Sequence, residues 1–351
     1  MIELRSDNAA GVAPEILAAL QAANTGSALA YGGDDVTADL QDLVREVFEH
    51  PAARVFPVTS GTAANSLALS AATPPWGAVL CHPSAHIITA EAGATSMFGA
   101  GAVMRGVDGA HALMDPDRLR TALESVRWGD PHESQPSVLS LTMPSERGTL
   151  YQPDRVRELA AIAREYGLRV HVDGARLANA VAALGCPPAD LTWRAGVDVL
   201  SLGATKNGAL SAEAIVAFDD RIADELVYRT KRSGHVTSKL RFQSAQLIAY
   251  LTDGLWLRLA GNANRRMAEL VSELESLTSY GVRLHEDVEV NMAFVDLPAE
   301  AIDAAAAGLL FYRMGPTSIR LVTSWQTTAG DVAEAAARFR AALPESDDRA
   351  G

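Results

Sequence analysis

Short apolar runs alternate with alanine-rich amphipathic stretches through the first two-thirds of the chain. RVFPVTSG (54–61), GAVLCHP (77–83), SVLSLTMP (137–144), LRVHVDG (168–174), VDVLSLG (197–203) and EAIVAF (213–218) read as strands. Between them, TAANSLALSAA (62–72), AEAGATSMF (90–98), PDRVRELAAIAREYG (153–167) and ARLANAVAALG (175–185) read as helices; in the third, Val156, Leu159, Ala160 and Ala163 recur at helical spacing. The strands are apolar almost throughout instead of alternating, as strands buried on both faces are. Regular strand–helix alternation therefore predicts an α/β architecture: a mostly parallel sheet flanked by helices.

Past about residue 250 the texture changes. A long amphipathic stretch, GLWLRLAGNANRRMAELVSELESL (254–277), is followed by GVRLHEDVEVNMAFVDL (281–297), the strand-like SIRLVTSW (318–325) and the helix-like DVAEAAARFRAAL (331–343). This predicts a smaller C-terminal α+β domain, 251–351, behind a large domain, 1–250, that includes the N-terminal segment. The tail PESDDRAG (344–351) reads as frayed.

Composition narrows the partners. A chain of 351 residues exceeds the size at which one core usually suffices, which supports two lobes. The formal charge of −13 argues against a general nucleic-acid or anionic-membrane binder. There is no run of about 18 apolar residues to span a bilayer, and MIELRSDNAAG lacks the apolar stretch of a signal peptide. Cys81 and Cys186 are the only cysteines and lack metal-ligand spacing. Two thiols in a chain this long point to a reducing cytoplasm, and no metal site is expected.

In a doubly wound sheet, ligands bind at the carboxyl ends of strands, and four groups fall at such ends. SGTAAN (60–65) starts a helix with Gly61 and Thr62, whose free amides would cradle a phosphate. HVDGAR (171–176) delivers Asp173 and Arg176. ATKN (204–207) places Lys206 just past a strand, where a partly dry pocket would make its amine nucleophilic. SAHIITAE (84–91) supplies His86. Alone, each has an ordinary explanation: an N-cap, a solvated turn, a surface lysine, a structural histidine. Together they match what pyridoxal 5'-phosphate requires, namely an amine, a carboxylate for the ring nitrogen, a phosphate cradle and a flat group over the ring.

With LRSDN (4–8), YGGDD (31–35), SGTAAN (60–65), AHIITAEAG (85–93), HVDGAR (171–176), ATKNG (204–208) and IRLVTS (319–324) in this order, the chain resembles the L-threonine aldolases. These are fold-type-I pyridoxal-phosphate enzymes of the aspartate-aminotransferase-like superfamily. The resemblance implies retro-aldol cleavage of L-threonine, L-allo-threonine or another L-β-hydroxy-α-amino acid to glycine and an aldehyde. It implies that Lys206 bonds the cofactor, Asp173 pairs with the ring nitrogen, and Gly61 and Thr62 hold the phosphate. His86 would stack on the ring and assist deprotonation of the substrate hydroxyl, with His132 near the same hydroxyl. Arg176 and Arg320 would bind the substrate carboxylate, while Ser6 and Tyr31 line the site, Tyr31 from a neighbouring subunit of a homodimer or homotetramer. The basic stretch 228–242 would close over the phosphate or remain a solvated loop.

Two segments depart from the family pattern: LTMPSERGT (141–149) stands where many members carry Glu-Asn-Thr-His-Asn, and GAT precedes Lys206 in place of the frequent Leu-Ser. A phenylserine-preferring aldolase, a β-eliminating lyase and an aminotransferase share the lysine and aspartate and stand as alternatives. So does a cofactor-free scaffold. A dinucleotide enzyme is disfavoured by the lack of GxGxxG after a first strand.

Overall fold

The structure, a computed structural model, describes residues 1–343; the frayed tail expected at 344–351 lies outside them. After a two-residue strand, β1 (Ile2–Glu3), seven strands build the central sheet. They are β2 (Arg54–Val58), β3 (Gly77–Cys81), β4 (Val103–Gly106), β5 (Gln135–Thr142), β6 (Arg169–Gly174), β7 (Val199–Leu202) and β8 (Glu213–Ala217). Their spatial order is β2-β8-β7-β6-β5-β3-β4. β8 runs antiparallel to both neighbours and every other pairing is parallel. The amino end of β8 therefore lies at the same edge as the carboxyl ends of the others.

The strands β3, β7 and β8 are buried along their whole length, which is why their sequences are apolar apart from Ser201 and Glu213. Edge strand β4 is half exposed and has no such signature, so the apolar pattern missed it. The single helix expected over 90–98 is also corrected. A short turn, His86–Thr89, is separated from Ala94–Phe98 by Ala92 and Gly93, which have φ of 50° and 76°. No right-handed helix continues through left-handed backbone, and the break turns Glu91 inward, where it is 3% exposed.

A second, four-stranded antiparallel sheet has the order β12-β13-β10-β9, made of β9 (Arg283–Leu284), β10 (Met292–Asp296), β12 (Tyr312–Arg313) and β13 (Ser318–Val322). β11 (Leu309–Leu310) pairs in parallel with β1. Residues 2–4, grouped by the sequence reading with the large domain, instead pack Ile2 and Leu4 against Met267, Leu270, Leu274 and Phe339 in this second core. The helix Leu255–Glu275 serves both cores. Leu255, Trp256 and Ala260 face the large one, and Met267, Leu270, Val271 and Leu274 the small one. No helix among the described residues is long and apolar enough to cross a membrane.

Candidate active site

A cleft of about 350 Å³ opens where the carboxyl edge of the central sheet meets the second lobe, and Lys206, Asp173, His86, Gly61, Thr62, Arg176, Arg320 and Ser6 line it. A roomier cleft of about 560 Å³ beside Ala19, Ala22 and Ala249 lacks such a convergence of charged groups, so chemistry and not size selects the site.

The phosphate-cradle candidate is formed as the helix Gly61–Ala72 starts. Ser60 caps it by accepting from the Ala63 amide at 3.2 Å. The Gly61 and Thr62 amides donate to no acceptor among the described residues, and a Cβ on Gly61 would meet nothing within 4 Å. Two orphan donors and the positive end of a helix dipole thus point into open space.

Lys206 sits in a turn clamped from several directions. Buried Glu213, at the amino end of β8, accepts from the Ala204 amide at 2.8 Å. Asn207 donates to the Tyr250 hydroxyl at 3.0 Å and to the Trp256 carbonyl at 2.8 Å. At Gly203 a Cβ would lie 2.2 Å from the Ala175 carbonyl oxygen, so only glycine lets this turn abut the one that follows Asp173. The Lys206 amine has no hydrogen-bonding or ion-pair partner among the described residues. The nearby Arg176 charge and burial hold it below the ordinary lysine range, which favours the neutral, nucleophilic amine.

Asp173 is buried, with one oxygen accepting from the Ala175 amide at 3.1 Å and the other from Asn65 Nδ2 at 2.8 Å. Asn65 also donates to Glu91 at 2.9 Å, and Glu91 in turn holds His86 Nδ1 at 2.8 Å. That hydrogen bond is the main cause raising the His86 pKa above the ordinary histidine value. Glu146 accepts from the His86 amide at 3.1 Å; burial, then the Asp173 charge, pushes its carboxyl above the usual range.

The arginines depart from expectation. Arg176 was expected to offer its fork to a ligand, but Nε and Nη2 are bound by Asp7 at 2.6 and 2.9 Å, and Asn291 also donates to Asp7 at 3.2 Å. Burial opposes both charges, yet pairing wins: Asp7 is held below the ordinary carboxylate range and Arg176 above the ordinary arginine value. Arg320 gives one bond, from Nη2 to the Arg5 carbonyl at 3.2 Å, and its buried Nε has no partner. Burial, then Arg176, holds it below the ordinary arginine value.

Two expected residues lie elsewhere. His132 is exposed just before β5, at the amino edge of the sheet, with its backbone amide bonded to Asp130. Parallel strand geometry puts that edge opposite the cleft. Tyr31 is exposed, has φ of 59° and carries the Lys231 amine 4.3 Å over its ring, away from this chain's cleft. In the basic stretch, Arg229, Lys231 and Arg232 belong to the helix Asp220–Arg232; His235, beyond it, reaches the Thr59 hydroxyl at 3.4 Å.

The sequence reading missed Asp7, Asn65, Glu91, Glu146, Glu213 and Asn291. All six sit inside stretches quoted above, and the signal, where there was one, was a polar residue beside apolar neighbours, as Asn291 is between Val290 and Met292. Among the described residues, no group of three or more His, Cys, Asp or Glu side chains could hold a metal ion.

The model of the beta-eliminating lyase family matches residues 3–298. The low-specificity L-threonine aldolase of Pseudomonas sp. (strain NCIMB 10558) is 40% identical over 343 residues, spanning 97% of this chain and 98% of that protein. The solved structure of Leishmania major threonine aldolase superposes with a TM-score of 0.89 at 26% identity, over 97% of this chain and 98% of that one. Aspartate aminotransferase from Thermus thermophilus, with maleate, gives a TM-score of 0.70 at 17% identity over 98% and 92% of the two chains, a likeness of fold alone.

Proposed function

The chain belongs to the beta-eliminating lyase family, and on that premise we propose that it cleaves L-threonine or a related L-β-hydroxy-α-amino acid to glycine and an aldehyde. Pyridoxal 5'-phosphate would be the cofactor. The carrying observation is the Lys206 amine, without a partner among the described residues and held below the ordinary lysine range by Arg176 and burial, in a cleft that also holds Asp173 and two free helix-start amides. Those groups fit the cofactor's aldehyde, ring nitrogen and phosphate. When bound, the cofactor supplies the sink for the electron pair left on the α-carbon as Cα–Cβ breaks.

The chain's own residues supply the rest. Lys206 would offer the amine that anchors the aldehyde, Asp173 would face the ring nitrogen, and the Gly61 and Thr62 amides would hold the phosphate. His86, which lines the cleft, would take the β-hydroxyl proton as the hydroxyl becomes a carbonyl. Arg320 binds the substrate carboxylate with its spare donors. Arg176, its fork given to Asp7, contributes charge and its remaining amino group, and Ser6 lines the same wall. Holding the carboxylate would fix the orientation of the substrate and so which bond to the α-carbon breaks. Tyr31, remote from its own cleft, would complete the site of a second copy in a homodimer or homotetramer. The two free cysteines fit a cytoplasmic setting.

Incubation of the purified protein and cofactor with L-threonine is expected to yield glycine and acetaldehyde in equal amounts. Ammonia with a keto acid would instead mark an eliminating lyase. Lys206→Ala is expected to abolish both the cleavage and the visible absorption band that the cofactor gains on bonding to the lysine.

A further inference from the structure

One buried amide joins the two halves of this machinery. Asn65 lies in the second turn of the helix Gly61–Ala72, 2% exposed, and spends both Nδ2 hydrogens on carboxylates: Glu91 Oε1 at 2.9 Å and Asp173 Oδ2 at 2.8 Å. Its own Oδ1 has no partner. Flipping the amide would aim that oxygen at two acids, so the network itself fixes the orientation. The Glu91 side chain is fully buried, and its Oε2 is unpartnered. Its charge is met by Asn65 and by one ring nitrogen of His86, whose ring is 41% exposed toward the cleft.

Resting on the aldol reading above, we propose that Glu91 and Asn65 are positioning residues. Glu91 fixes the His86 proton on Nδ1, leaving Nε2 free toward the substrate, and Asn65 ties Glu91 to Asp173 so that base and cofactor partner are held by one hydrogen-bonded chain.

The chemistry follows from acceptor-only carboxylates. A buried carboxylate 2.8 Å from Nδ1 makes the tautomer with N–H at Nδ1 the favoured neutral form. The lone pair then sits on Nε2, the tautomer a base above a substrate needs. The left-handed turn at Ala92 and Gly93 is what brings Glu91 to the Nδ1 edge of the ring. Without the Asn65 donors, Glu91 and Asp173 would share a dry pocket with nothing between them, and each charge would draw a proton more strongly onto His86. The charged groups acting on His86 are Glu91, Glu146 and Asp173, so removing one alters its titration without erasing it.

Nitrogen-15 NMR of the full chain, labelled at its 8 histidines, with and without cofactor, tests this; the His86 signal is identified by its loss in His86→Gln. In the wild type the neutral form should carry its proton on Nδ1. Glu91→Gln keeps an acceptor and loses the charge. It should retain the tautomer, lower the titration midpoint by about one pH unit, and shift the acid limb of kcat/KM equally while the plateau stays within about threefold. Glu91→Ala should mix the tautomers and lower kcat about 10²-fold with KM little changed. Asn65→Leu, with Asn65→Ser as a second, smaller replacement, should move the midpoint and the acid limb upward. A purely structural role predicts lower thermal stability with midpoint, tautomer and limb unmoved, and that pattern overturns the proposal. The titration needs no substrate. A wild type that leaves threonine intact would sink the aldol reading, while an unshifted His86 in Glu91→Gln would sink this one.

Discussion

The two walls of the cleft are built by different logics. The sheet wall takes Asp173 from the end of β6, and the 60–65 turn and Lys206 from the loops that directly follow β2 and β7. Each functional group lies within a few residues of a strand end, although Asn65 reaches Asp173 from 108 residues away. The opposite wall joins Asp7 to Arg176 across 169 residues, Asp7 to Asn291 across 284, and Arg320 to the Arg5 carbonyl across 315. The first wall is set by local sequence on a rigid scaffold; the second exists only when the chain's ends meet. Under the proposed function the first wall would hold the cofactor and the second would hold the substrate carboxylate.

The sharpest way to break this comparison is Asp7→Asn. It strips the buried Arg176 guanidinium of its anion, and an uncompensated buried charge costs about 3–5 kcal/mol, read by urea denaturation at neutral pH. A cost below about 1 kcal/mol would mean the second wall does not depend on this pair. The sign of the pH dependence follows from the depressed Asp7 pKa. The pair's stability is fully present above the unfolded aspartate value, near pH 4, and is lost as the pH falls through the lower folded value, so the Asn variant should show a smaller loss over that acid range.

A smaller effect is expected at Arg320. Arg320→Lys keeps the charge and loses the planar fork, so KM for L-threonine should rise about tenfold with a smaller change in kcat. An equal fall in kcat and kcat/KM would instead place Arg320 in the chemical step. The smallest effect belongs to His132→Ala. Exposed at the sheet's amino edge, His132 should leave stability within about 0.5 kcal/mol and steady-state kinetics unchanged; a marked fall in kcat would bring it back into the site.

Legibility followed burial and locality. β3, β7 and β8, hidden on both faces, announced themselves as apolar runs, whereas β4 at the edge did not. Lys206, Asp173, Gly61 and Thr62 were legible because strand ends deliver ligands in such sheets. His132 was misplaced because sequence neighbours give no indication of which edge of the sheet a loop occupies. Arg176 lines the cleft, and the pairing of its fork with Asp7 was not legible because Asp7 is remote along the chain.

By itself, then, the sequence determined the parallel sheet, the order of its strands along the chain and the residues at their carboxyl ends, because hydrophobic period and turn chemistry act over a few residues. Only the tertiary structure decided that Asn65 binds two carboxylates at once, that Glu91 binds His86 Nδ1, and that Asp7 occupies the fork of Arg176. Buried polar groups must find partners wherever the packed chain brings them, and that choice is made by the fold as a whole.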